Sequence, residues 1–111
     1  MTRISTHVLD TSEGHPAVGV AVRLEMPTGK GWTTIASGVT DREGRIANLT
    51  EGKDHGAGTF RLQFAVGDYF AARQIFSFYP VIEVTFTVMT GEHYHVPLLL
   101  SPFGYSTYRG S

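Results

Sequence analysis

His93 and His95 stand two residues apart in His93-Tyr94-His95. In an extended chain that spacing puts both rings on one face. A same-face pair is half of a zinc site, which His7 or an acidic residue would have to complete. It is also a pair of groups that exchange protons near neutral pH. The plainest reading is two hydrogen-bonded or solvent-facing histidines. His7 lies in Ser5-Thr6-His7-Val8-Leu9-Asp10, where strand alternation turns its ring away from the side taken by Thr6 and Val8. Arg45 follows the turn Asp41-Arg42-Glu43-Gly44, a position where an arginine is ordinarily a solvated charge. His15 beside Pro16, and His55 within Glu51-Gly52-Lys53-Asp54-His55-Gly56, read as solvated loop residues. The tail Tyr108-Arg109-Gly110-Ser111 brings together an aromatic ring, a cation, a glycine and a hydroxyl a few residues after the apolar run Val96-Pro97-Leu98-Leu99-Leu100. Taken singly, none of these residues defines a site.

The elements that must position them follow a period of two. Val18, Val20, Val22, Leu24 and Met26 alternate with Gly19, Ala21, Arg23 and Glu25, the pattern of a strand with one buried face. Phe60, Leu62, Phe64 and Val66 repeat it, as do Ile82, Val84, Phe86 and Val88, and then Tyr94, Val96, Leu98 and Leu100. Weaker strands are expected at roughly Ser5 to Leu9, Trp32 to Val39, Gly44 to Leu49 and Tyr105 to Tyr108. Turns are expected at Pro27-Thr28-Gly29-Lys30-Gly31, at Asp41 to Gly44 and at Thr90-Gly91-Glu92. The period breaks once, at Asp68 to Gln74, which reads as a helix of one to two turns. Short strands with regular turns predict an all-β sandwich.

Bulk properties narrow the function. A chain of 111 residues is expected to form a single domain, 1–111, with one hydrophobic core. A formal net charge of −1 gives no support for nucleic-acid binding. The absence of cysteine excludes disulfides, thiolate metal sites and a cysteine nucleophile. There is no apolar stretch of membrane-spanning length and no apolar block near the N-terminus, so no membrane association is expected and a cytoplasmic location is.

Taken together, the motifs carry a resemblance. Ser5-Thr6-His7-Val8-Leu9-Asp10 with Gly14-His15-Pro16-Ala17, Thr40-Asp41-Arg42-Glu43-Gly44-Arg45, His93-Tyr94-His95-Val96-Pro97-Leu98-Leu99-Leu100-Ser101-Pro102, and Tyr105-Ser106-Thr107-Tyr108-Arg109-Gly110-Ser111 closely resemble the 5-hydroxyisourate hydrolases, the transthyretin-like proteins of purine catabolism. The terminal Tyr-Arg-Gly-Ser is the most specific of these motifs. It separates the hydrolases from the hormone carrier of the same fold.

The resemblance implies a transthyretin-like sandwich of two four-stranded sheets with one short helix. It implies a homotetramer whose central channel holds the active sites. It implies hydrolysis of 5-hydroxyisourate to 2-oxo-4-hydroxy-4-carboxy-5-ureidoimidazoline, with no metal or organic cofactor. Residue by residue, it makes His7, Arg45 and His95 catalytic, with His93 a neighbour, and it assigns substrate binding to His7, Arg45, Tyr108 and Ser111. Water activation falls to His7 and His95 together, and Arg45 holds substrate oxygens and developing negative charge. Tyr108 supplies a hydroxyl and a ring edge, and Ser111 its hydroxyl and the terminal carboxylate. Arg109 fastens the tail, which forms part of the site wall. Two other readings fit the pattern less well: a transthyretin-like carrier without catalysis, and a structural or secreted β-sandwich adhesion domain.

Overall fold

The computed structural model describes residues 2–89 and 91–111. Its elements run β1 (Arg3–Asp10), β2 (His15–Pro16), β3 (Ala21–Thr28), β4 (Gly31–Val39), β5 (Arg45–Ile46), β6 (Gly58–Phe64), α1 (Val66–Ala71), β7 (Ile82–Val88), β8 (His93–Ser101) and β9 (Gly104–Thr107). Alternation of apolar and polar residues gives each long strand one face to bury, and two such sheets close on each other. One sheet has β1 and β8 at its centre, with β9 beside β8 and the two short strands β2 and β5 on the free edge of β1. The other is an antiparallel sheet in the order β4-β3-β6-β7.

The core between them takes Ile4, Val8, Tyr94, Val96, Leu98 and Leu100 from the first sheet. These meet Val22, Leu24, Phe60, Leu62, Phe64 and Ile82 of the second. Helix α1 closes one end with Val66, Tyr69 and Phe70. A buried polar clasp ties that helix to β1. Asp10 is fully buried, and its carboxylate accepts from the Ser12 and Glu13 backbone N–H groups, the Ser12 hydroxyl and the Tyr69 hydroxyl at 2.8 Å. Burial pushes the Asp10 carboxyl up, but these hydrogen bonds together hold it below the ordinary range. Burial and the Asp10 carboxylate push the Tyr69 hydroxyl up to about 12.

The sandwich expected from the alternation is the fold observed, with differences at element ends. Val18 was expected to face the core but is 40% exposed. The strand begins only at Ala21, because Gly19 takes a φ of +84° and donates its N–H to the Thr40 carbonyl. The helix spans Val66–Ala71 rather than Asp68 to Gln74. It stops where Gln74 adopts a φ of +60°, and the Gln74 and Ile75 N–H groups bond back to Ala71 and Phe70. The strand expected over Gly44 to Leu49 is only Arg45–Ile46, and the short β2 was not anticipated. The turn expected at Thr90-Gly91-Glu92 lies partly outside the described residues.

Candidate active site

The parallel pairing of β1 with β8 builds the site. Its register sets Arg3 opposite His93, Ser5 opposite His95 and His7 opposite Pro97. Ile4, Thr6 and Val8 are buried, so Arg3, Ser5 and His7 take the outer face of the sheet, as period-two alternation requires. Thr6 anchors the register from the inner face, its hydroxyl donating to the Val96 carbonyl at 2.6 Å.

Arg45 arrives from the other edge of β1. Asp41 nucleates its turn: Oδ1 accepts the N–H groups of Glu43 (2.8 Å) and Arg45 (3.0 Å), and the carbonyl accepts Gly44 N–H. The Arg45 and Glu43 N–H groups hold the Asp41 carboxyl below its ordinary range. Gly44 then takes a φ of +77° and gives its carbonyl to Val8 N–H at 2.7 Å. A Cβ on Gly44 would lie 2.5 Å from the Val8 carbonyl oxygen, so only glycine lets the turn dock this closely. Docking sets Arg45 directly opposite His7 in the antiparallel β1–β5 pair. Among the described residues the Arg45 guanidinium has no hydrogen-bond partner, which leaves its donor fork free for a bound molecule.

On the β8 side, Ser5 Oγ lies 2.7 Å from His93 Nε2 and 2.8 Å from His95 Nδ1, and Arg3 Nη2 donates to His93 Nδ1 at 3.1 Å. Both nitrogens of His93 and one of His95 are thus engaged within the chain. Among the described residues the pair presents one free nitrogen, His95 Nε2, which is a poor start for a metal site. Burial pulls the His95 pKa below its ordinary value, and the nearby His93, His7 and Arg45 lower it further. Burial and Arg3 lower that of His93.

The tail closes the pocket. Gly110 N–H donates to the His95 carbonyl at 2.8 Å, and the Thr107 hydroxyl to the Pro97 carbonyl at 2.7 Å. A Cβ on Gly110 would lie 2.6 Å from His95 Cδ2, so the glycine packs flat against the imidazole. Arg109 reaches the other way, to Glu92 at 3.0 Å and over the Tyr94 ring at 4.5 Å. Ser111 then joins Arg3, Ser5, Arg45, His93 and His95 around a cavity of about 230 Å³.

His95, Arg45 and Ser111 therefore line one cavity, with His7 beside it on the same sheet face. Tyr108 lies apart. It is 57% exposed and lines a separate groove of about 280 Å³ with Val84, Phe86, Tyr94 and Val96, between the edge strands β7 and β9. The motifs do not point to Arg3 or Ser5, and His93, half of the same-face pair, is expected only as a neighbour of His95. The period of two places Arg3 and Ser5 on the face of His7, but their partners lie some ninety residues away, and parallel register over that distance has no signature in the sequence.

A transthyretin-type sandwich with a polar, histidine-lined cavity on one outer sheet face is thus the class of protein at hand. The model of the HIUase/transthyretin family matches residues 4–110. The 5-hydroxyisourate hydrolase of Salmonella dublin is 49% identical over 109 residues, which cover 97% of this chain and 80% of that protein. The structure of Klebsiella pneumoniae 5-hydroxyisourate hydrolase superposes with a TM-score of 0.88 at 39% identity, covering 100% of this chain and 94% of the other. Sea bream transthyretin, solved in complex with thyroxine, superposes with a TM-score of 0.90 at 37% identity, covering 97% and 94%. The chain belongs to the HIUase/transthyretin family.

Proposed function

We propose that this chain is a hydrolase of 5-hydroxyisourate, opening its six-membered ring to 2-oxo-4-hydroxy-4-carboxy-5-ureidoimidazoline. The observation that carries the reading is the convergence of His95, Arg45 and Ser111 on one polar cavity, with His7 opposite Arg45. The hydrolases of Salmonella dublin and Klebsiella pneumoniae among its relatives support it. Ring opening needs a base for water, donors for the developing oxyanion, and walls that orient a flat polar ring. One ring of the His7–His95 pair takes the proton of the attacking water. Burial and the cationic neighbours of His95 favour its neutral form at working pH. Arg45 offers its free fork to the ring oxygens, and Ser111 adds a hydroxyl at the rim.

The reading extends to a homotetramer. Strands β7 and β9 are the open edges of the two sheets on one side of the sandwich, with the Tyr108 groove between them. Phe76, Phe78 and Phe103 are each more than 60% exposed nearby in the chain. Open edges and exposed aromatics favour self-association, and a twofold mate removes both. Tyr108 would then meet substrate through assembly, since it stands outside the His95 cavity within one chain.

The test follows 5-hydroxyisourate, generated in place from urate, by ultraviolet absorbance with and without chelator-treated protein. Decay well above the spontaneous rate is expected. A well-folded protein with no acceleration refutes the hydrolase reading and favours a carrier like the thyroxine-binding relative, which ligand titration would then reveal.

A further inference from the structure

The hydrogen-bond chain Arg3–His93–Ser5–His95 has a direction that its chemistry dictates. A guanidinium has only hydrogens to give, so His93 Nδ1, 3.1 Å from Arg3 Nη2, must present its lone pair. Neutral His93 then carries its proton on Nε2 and donates it to Ser5 Oγ at 2.7 Å. The single hydroxyl hydrogen of Ser5 is left for His95 Nδ1 at 2.8 Å. A neutral imidazole whose Nδ1 accepts carries its hydrogen on Nε2, the nitrogen with no partner among the described residues. Placing the His95 hydrogen on Nδ1 would either make Ser5 Oγ accept from both rings, leaving its own hydrogen without a partner among the described residues, or reverse every bond and bring an N–H of His93 against the Arg3 cation.

We infer that Arg3, Ser5 and His93 are positioning residues that hold His95 as the neutral Nε2–H tautomer, so that His95 serves the reaction as a hydrogen-bond donor and His7 as the base. The kinetic half of this inference rests on the hydrolase reading. Neutral imidazole is an established electrophile toward carbonyl oxygen. Water attacks the ring carbonyl as its proton passes to His7, and the new C–O bond leaves negative charge on the carbonyl oxygen. Nε2–H of His95 and the Arg45 fork donate to that oxygen without surrendering a proton. The C–N bond then breaks, and the leaving nitrogen takes the proton held by His7. His7 suits the base role because Arg45, its partner in register, would hold the polarised substrate beside it.

The experiment reads ring nitrogens directly. Histidine-labelled protein is examined by long-range ¹H–¹⁵N correlation above the histidine titration range, with the His95 signals assigned by their loss in His95→Gln. The expected result for the unaltered protein is an unprotonated Nδ1 and a protonated Nε2. Ser5→Ala and Arg3→Met should each give a mixture of tautomers, and Arg3→Lys, again a donor-only cation, should restore the single form. In turnover, Arg3→Met should lower kcat by about tenfold, between the twofold of an evenly mixed ring and the hundredfold of a lost oxyanion donor, with KM within about twofold. Nδ1–H in the unaltered protein, or a His95 tautomer indifferent to Arg3→Met and Ser5→Ala, overturns the inference. So does a raised KM with kcat and tautomer unchanged, which would make Arg3 a direct substrate ligand. The spectrum does not depend on activity. The expected tautomer in a protein without turnover leaves the positioning roles standing and refutes the hydrolase reading instead.

Discussion

Gly110→Ala tests the geometry of the tail with a single methyl group. Its Cβ would lie 2.6 Å from His95 Cδ2, 3.3 Å from His95 Cγ and 3.3 Å from Pro97 Cγ. Carbon atoms in contact prefer about 3.5–4.0 Å, so something must give by roughly 1 Å. Pro97 is buried in β8 and the imidazole is tethered through Nδ1 to Ser5, so either the ring tilts or the tail lifts away. In the proposed catalytic role of His95, a displacement of that size is worth about a hundredfold in rate. The fold should hardly notice. The contact at stake is one backbone bridge at the edge of the sheet, worth about 1 kcal/mol, or no more than about 8 °C in Tm. The expected outcome is therefore kcat/KM down about a hundredfold in the absorbance assay, with thermal unfolding close to that of the parent. Gly29→Ala is the control, since a Cβ there meets nothing within 4 Å and activity should be unchanged. Parental activity in Gly110→Ala would refute the claim that the tail is seated against His95 during turnover.

Three further outcomes are expected. Arg45→Ala should lower kcat by about 10²–10³ with little change in Tm, because its side chain is exposed and makes no ion pair among the described residues; equal turnover in the absorbance assay would remove Arg45 from the mechanism. The pKa of His95 is lowered, so its neutral form survives into acid; the acid limb of kcat attributable to it should fall below about pH 6.5, and a limb above that value would contradict the assignment. Tyr69→Phe leaves Asp10 Oδ2 buried without its hydroxyl partner and should cost about 1–3 kcal/mol in denaturant unfolding; the Asp10 carboxyl is held low in the fold, so its contribution is complete above about pH 4 and is lost as pH falls through its folded value, more steeply in the parent than in the variant.

The inner faces of the sandwich are legible residue by residue. Phe60, Leu62 and Phe64, or Tyr94, Val96, Leu98 and Leu100, alternate because a strand with one wet face has no other way to bury its apolar side chains. The motifs around His7, Arg45, His95 and Ser111 were equally visible as residue types. Less legible were element ends such as Val18 and Gln74, where a backbone hydrogen bond to a distant carbonyl or a positive φ overrides local pattern. Ser5 was also hidden. A small hydroxyl residue in a strand is common, and its importance comes from two imidazoles on another strand.

By itself, the sequence determined the all-β class, the buried set and the chemical types available for the site, because these depend on composition and on a local period. Only the tertiary structure decided which residues meet. Parallel register between β1 and β8, the docking of Gly44 on Val8 and the seating of Gly110 on His95 are contacts between segments far apart in the chain. Their geometry is set by the closing of hydrogen-bond ladders and the packing of the core. It is this closure that turns Arg3, Ser5, His93 and His95 into one directed chain and leaves Tyr108 on another surface.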